Sequence, residues 1–404
     1  MSGMAADPQP TRRTRRLGCL PRLLAGLAVV LVVYLLALLV VPPVMTATRA
    51  ALLLPELIQL PVTPLQHVTP KPQSLTTSYG SPPDRLDVYV PADAQPDGRL
   101  PGVVLVLGFH PVPVDDPAIV RIAEGISRLG VVVGVQESTA LRESRLDPNE
   151  PARIIDALLV IGERPEVDPQ RLGLIGFSAG GSLAMMAAAD PRLAEELRFV
   201  SNFGGYADAE TFLVDIATRT MELDGQTIAW QPGLSIRLEI MELMLQAVEP
   251  ADQRGSLRLA LEPVIRSAEV PAGPEPALAA TFTEDALAAY RLFTAPDRPA
   301  ARRALSEVSP SLRADLAAIS PLEVVDRLEA QVFTLHGGND NAIPISHAVM
   351  LNEALEADQI GLFARFGAVG HEPPFQDGLE LGDLPDLWQL TLYVHHIVAA
   401  ATEA

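Results

Sequence analysis

Gly176-Phe177-Ser178-Ala179-Gly180-Gly181 sets a serine among glycines at the point where an apolar stretch (Leu172, Leu174, Ile175) gives way to small residues and methionines, Ser182-Leu183-Ala184-Met185-Met186. Gly-x-Ser-x-Gly in that context predicts a strand, a sharp strained turn and a helix, with the hydroxyl raised above a sheet. A serine hydroxyl is a weak nucleophile at neutral pH, so it needs a general base, and the base needs an orienting carboxylate. Two later loops supply candidates. His336-Gly337-Gly338-Asn339-Asp340-Asn341-Ala342-Ile343-Pro344 and Gly367-Ala368-Val369-Gly370-His371-Glu372 each follow an apolar stretch with strand character. Ser178, Asp340 and His371 thus stand in the order nucleophile, acid, base, which suits acyl transfer. Developing negative charge would be met by the main-chain N–H of Ala179 and by a second donor, Phe109 or His110, in Gly108-Phe109-His110-Pro111. That loop lacks the usual His-Gly pair. Asp208 and Asp215 are alternative acids, and His336, His347, His395 and His396 are alternative bases; His336 reads better as a brace for the acid loop.

These loops need a scaffold that brings them together. Alternation at Arg85-Leu86-Asp87-Val88-Tyr89-Val90 predicts a half-buried strand near a sheet edge, and the unbroken apolar run Gly102 to Leu107 a strand covered on both faces. Helices are expected over 118–129, 151–162, 348–355 and 384–400, with a short one over 321–328, and further strands over 131–135, 197–203, 331–335 and 361–366. Strands alternating with helices imply a mostly parallel, doubly wound sheet with ligands at the strand ends. From 206 to 320 the pattern changes to successive helical readings (210–223, 234–248, 255–268, 283–293, 298–307), too long for an ordinary connection and therefore a helical insertion or lid. Leu234 to Leu245 is dense in large apolar groups, most for packing and a minority for a substrate pocket.

With these residues in view, the chain resembles the α/β-hydrolase superfamily, and within it the dienelactone-hydrolase-like branch. Gly176-Phe177-Ser178-Ala179-Gly180-Gly181 is similar to that branch's Gly-Phe-Cys-x-Gly-Gly turn, with serine for cysteine. His336-Gly337-x-x-Asp340-x-x-Ile343-Pro344 is similar to the acid loop of prolyl-oligopeptidase-like enzymes. The resemblance spans about 76–205 and 321–400. It implies an α/β-hydrolase fold with Ser178 as nucleophile, Asp340 as acid and His371 as base, and the serine suggests an esterase. The alternatives are a prolyl-oligopeptidase-like peptidase, or a non-catalytic binding protein that keeps the fold.

Composition narrows the partners. The 404 residues carry a formal charge of −20 and one cysteine, Cys19. Residues 1–22 hold five arginines against Asp7, a net of +4, which leaves −24 on the rest. Such a main domain repels nucleic acid and anionic lipid. A single cysteine excludes internal disulfides and cysteine-based metal sites. With no phosphate-binding glycine loop or dinucleotide fingerprint, neither cofactor nor metal is expected. Residues 23–41 are unbroken apolar, nineteen residues that at 1.5 Å rise come near the roughly 30 Å bilayer core. The expected order is a basic cytoplasmic tail (1–22), one transmembrane helix (23–41), a proline-rich linker (42–75) whose apolar patch Leu52 to Leu60 suits a short helix at the membrane surface or against the domain, the hydrolase core (76–205 and 321–404) and the helical insertion (206–320). The arginines would hold the N-terminus inside and put the catalytic domain outside the cytoplasmic membrane. The expected partners are the membrane, through that helix, and a small-molecule ester with an apolar acyl group.

Overall fold

The computed structural model describes residues 29–30, 32–34, 41–109, 113–269, 271–367 and 381–402. His371 and His110 lie outside them, as does most of 23–41. The chain divides into two compact units, Met1–Thr48 and Arg49–Ala404. In the first, residues 29–30 and 32–34 are helical and Val29, Val30, Val32 and Val33 are more than half exposed. No helix among the described residues is long and apolar enough to cross a membrane.

The second unit is organised on an eight-stranded sheet in the order β1-β2-β4-β3-β5-β6-β9-β10. The strands are β1 Gln73–Tyr79, β2 Asp84–Val90, β3 Leu100–Val106, β4 Val132–Gln136, β5 Val167–Phe177, β6 Leu197–Phe203, β9 Gln331–Gly337 and β10 Ile360–Phe366. From β4 through β3, β5, β6 and β9 to β10 every pairing is parallel; β2 runs antiparallel to both β1 and β4. β3 explains why the interior run is continuously apolar. Val103 and Leu105 face one core with the closing helix Leu384–Thr402, while Val104 and Val106 face the other with helix Glu150–Gly162, and all four are buried. On that helix Ile154, Ile155, Leu158 and Ile161 are at most 2 % exposed, and burying each stabilises the fold by about 1.5–3 kcal/mol. This mostly parallel sheet with helices on both faces fits the α/β-hydrolase fold.

Three stretches differ from the sequence reading. In the expected linker the helix is longer than the Leu52 to Leu60 patch and packs against the domain: helix Pro42–Leu57 and the turn after it bury Leu53, Ile58 and Leu65 in the core shared with the closing helix. The helix expected over 210–223 stops at Thr218, because Arg219 turns left-handed at φ 54°. A two-stranded hairpin follows, β7 Thr220–Leu223 and β8 Gln226–Ala229, closed by Asp224-Gly225 with φ of 52° and 73°. That dipeptide suits a two-residue hairpin turn. Residues 321–328 form two 3-10 turns, Pro321–Glu323 and Val325–Arg327, and a further helix, Pro310–Ala317, is capped by the Ser309 hydroxyl on Leu312 N–H.

Candidate active site

Ser178 stands between β5 and helix Ala179–Ala188 with φ 55° and ψ −135°. Such a torsion costs a side-chain-bearing residue about 1–3 kcal/mol and persists only where its surroundings hold it. Two hydrogen bonds do so: Ser178 N–H donates to Phe203 O at 2.8 Å, tying the turn to the end of β6, and Gly181 N–H donates to Ser178 O at 2.8 Å. The flanking glycines are needed for close approach. A Cβ on Gly176 would stand 2.4 Å from Gly180 O, and one on Gly180 would stand 2.4 Å from Val106 O.

Ala179 opens the helix, where the first amides have no carbonyl partner within it. Gly108 lies directly against the serine: a Cβ there would be 2.8 Å from Ser178 Cβ. The loop after β3 is thus beside the nucleophile turn. Phe109, Ser178 and Ala179 share the wall of a cavity of about 170 Å³.

Asp340 is buried just after β9. Its Oδ1 accepts from Ala342 N–H at 2.7 Å and Ile343 N–H at 2.9 Å, which fixes the carboxylate's orientation. His336 bonds through Nε2 to Ile343 O at 2.8 Å and lies 3.6 Å from Asp340 Oδ2, spanning the acid loop. Ala342 and Ile343 line the same 170 Å³ cavity as Ser178. The serine turn and the acid loop therefore border one space. His371, the expected base, lies outside the described residues, so its position relative to them is not part of this geometry.

The alternative acids and bases are engaged elsewhere. Asp215 is buried and accepts from Arg298 Nη1 at 2.5 Å, with His347 Nε2 at 3.4 Å. His347 accepts Ala207 N–H on Nδ1 at 3.1 Å. Asp208 caps helix Ala209–Thr218 through Thr211 N–H. His395 and His396 sit inside the closing helix, and burial lowers the pKa of His396, with His395 beside it acting the same way.

The insertion supplies the remaining wall. Ile236, Ile240 and Leu243 of helix Leu234–Ala247 line the 170 Å³ cavity together with Glu239. Met241 and Met244, on the same helix, are buried in packing. Trp230, which the sequence reading did not single out, donates its Nε1–H to Asp340 O at 2.8 Å, and Gly233 N–H donates to Asn341 O at 2.7 Å. The insertion is thereby fastened to the acid loop. Lone tryptophans and glycines in a loop carry no sequence signal for such a contact. Ser178 also lies in the wall of a second cavity, of about 310 Å³, on the other side of the sheet against the closing helix.

No protein family's sequence profile matches the chain, and no curated protein matches it. Among solved structures it is similar to an acylaminoacyl peptidase from Pyrococcus horikoshii, with 11 % identity and a TM-score of 0.49 over 84 % of this chain and 43 % of that one. Dipeptidyl peptidase 4 from Porphyromonas gingivalis gives 14 % identity and a TM-score of 0.45 over 80 % of this chain and 35 % of the peptidase. A hyperthermophilic esterase from the archaeon Pyrobaculum calidifontis gives 15 % identity and a TM-score of 0.45, with 87 % and 92 % of the two chains covered. The chain spans less than half the length of these two peptidases.

Proposed function

We propose that the protein is a serine hydrolase acting on carboxylic esters. The observation that carries this reading is the strained serine at a strand-to-helix turn, in the wall of a cavity shared with Phe109, Ala179 and the acid loop. In the proposed reaction Ser178 Oγ attacks the ester carbonyl carbon while His371 takes its proton. The oxyanion is met by Ala179 N–H and a donor at Phe109 or His110. Collapse expels the alcohol, which takes the proton from His371, and water activated by the same imidazole releases the acid. Asp340 orients and compensates the imidazolium. A finer kinship with dienelactone-hydrolase-like enzymes is carried by Gly176 to Gly181 alone.

The test is labelling by a fluorophosphonate probe: the full-length protein should react and Ser178→Ala should not. A folded wild type that stays unlabelled and hydrolyses no ester would leave the tethered binding protein as the better account. The acid loop around Asp340 favours a second reading, a peptidase, and turnover of aminoacyl anilides in preference to p-nitrophenyl esters would establish it. The anchor is proposed on the apolar 23–41 run behind five arginines, with the helical valines at 29–33 exposed. Protease added to spheroplasts should remove the hydrolase unit, and full protection would reverse the orientation.

A further inference from the structure

The 310 Å³ cavity lies within the core layer between the sheet and the closing helix Leu384–Thr402. Protein interiors hold few voids larger than a water molecule. An apolar cavity of roughly 150 Å³ already stays dry and takes up benzene. The space beside the candidate nucleophile is twice that size and partly open to the surface, so an apolar group can enter it.

Its shape and wall chemistry define that occupant. On β6 the wall includes Phe199, Ser201 and Phe203, four residue steps or about 13 Å at the strand rise. Along the closing helix it runs from Leu390 to Thr402, about 18 Å at the helical rise. Ser178 and Phe177 stand with Phe203 at the strand-end side. The wall is thus extended along the strand, and 13 Å holds an extended chain of roughly ten carbons at ordinary C–C lengths. The buried polar groups on the wall serve each other: Ser201 Oγ and Tyr393 OH are 2.5 Å apart, and Tyr393 OH reaches Phe333 O at 3.3 Å. Hydrocarbon meets no unsatisfied partner there. The 170 Å³ cavity on the other side of Ser178 carries Glu239, Ser235 and Tyr206 and suits a more polar group.

We propose that the cavity between the sheet and the closing helix holds the unbranched hydrocarbon chain of a medium- to long-chain acyl ester, with the leaving alcohol directed toward the insertion. This rests on Ser178 being the nucleophile. The acyl group stays attached to Ser178 through the second half-reaction while the alcohol departs, so the larger and more apolar chamber belongs to the acyl side.

The test has two arms. In the kinetic arm, kcat/KM for p-nitrophenyl esters from acetate to decanoate should rise at least 100-fold, since each buried methylene is worth roughly three- to fourfold. Val394→Trp, which fills the cavity, should lower the decanoate-to-acetate ratio at least tenfold; Ile397→Phe provides a smaller filling should the first not fold, with thermal unfolding as the check. In the binding arm, calorimetry should detect decanoate binding to Ser178→Ala and its loss when Val394→Trp is added. A flat or acetate-preferring profile with no decanoate binding overturns the proposal. Length dependence confined to the alcohol of acetate esters overturns the acyl assignment. Decanoate binding that Val394→Trp removes, in a protein that hydrolyses no ester, supports the hydrocarbon site while the hydrolase reading fails.

Discussion

A methyl group added at Gly180 would meet Val106 O at 2.4 Å and Leu107 O at 2.5 Å, both main-chain atoms of β3 and its loop. Neither can yield without moving the strand that places Phe109 beside the serine. Gly180→Ala should therefore cost about 1–3 kcal/mol of stability through overpacking and lower activity as well, read by urea midpoint and by turnover of a short ester. The carboxylate offers a separate test. Ala342 and Ile343 N–H both point at Asp340 Oδ1, and an asparagine can keep one oxygen in that place. Asp340→Asn should fold normally yet lose roughly 10³- to 10⁴-fold in kcat, as when a triad carboxylate is neutralised. Near-wild-type turnover in that variant would remove Asp340 from the proposed triad. The same neighbourhood separates what the sequence discloses from what it conceals. Glycine spacing around a serine announces a strained turn, whereas Trp230 reaches Asp340 O from 110 residues away, a contact that no local pattern encodes.

Helices of the insertion are clamped to the sheet domain by one buried ionic group. Asp215 on helix Ala209–Thr218, Arg298 on helix Arg298–Ser306 and His347 on helix Ile345–Ala354 are all at most 5 % exposed. Arg298 Nη1 also donates to Thr220 O at 3.0 Å, which holds the first hairpin strand. Removing Asp215 leaves the buried Arg298 guanidinium with only Glu222, 3.4 Å from its Nε, as a carboxylate partner. Asp215→Ala should cost about 3–5 kcal/mol, while Asp215→Leu combined with Arg298→Met should cost far less, because a buried pair roughly breaks even against apolar side chains. Equilibrium urea unfolding of the two variants provides the comparison, and equal losses would show that Asp215 acts through packing alone. Elements with one strong periodicity were legible beforehand. Strand β6 occupies the expected 197–203, and helix Leu234–Ala247 ends one residue short of its expected limit. A misreading fell where a local device overrides periodicity, at the left-handed Arg219 that ends a helix, while the prolines of 42–75 left open where its apolar patch packs, and Leu53, Ile58 and Leu65 are core. The long cavity was not legible at all, because it is a space between residues that all read as ordinary core.

Across the whole molecule, fifty acidic side chains stand against thirty basic ones, and those exposed to water repel one another only weakly through solvent and salt. Glu150 is different. It is the first residue of helix Glu150–Gly162, 1 % exposed, and accepts from Gln136 Nε2 at 2.8 Å. Burial pushes its carboxyl up to about 7, further than the Ser138 hydroxyl and the Arg153 guanidinium pull it down. Between the unfolded value near 4.5 and the folded value near 7, the native chain keeps a proton that the unfolded chain has released. Unfolding is therefore favoured progressively as pH rises through that window, the reverse of a salt-bridged carboxylate. A shift of this size corresponds to about 3 kcal/mol, present in full below pH 4.5 and gone above pH 7. Glu150→Gln keeps an acceptor for Gln136 and cannot ionise. The stability difference between this variant and the wild type should move by about 3 kcal/mol in the variant's favour from pH 4 to pH 8, measured by urea unfolding at each pH. The many exposed carboxylates titrate alike in both proteins and cancel. A difference that stays constant across that range would mean that Glu150 is solvated in the native state and that its burial beside Gln136 does not set its charge.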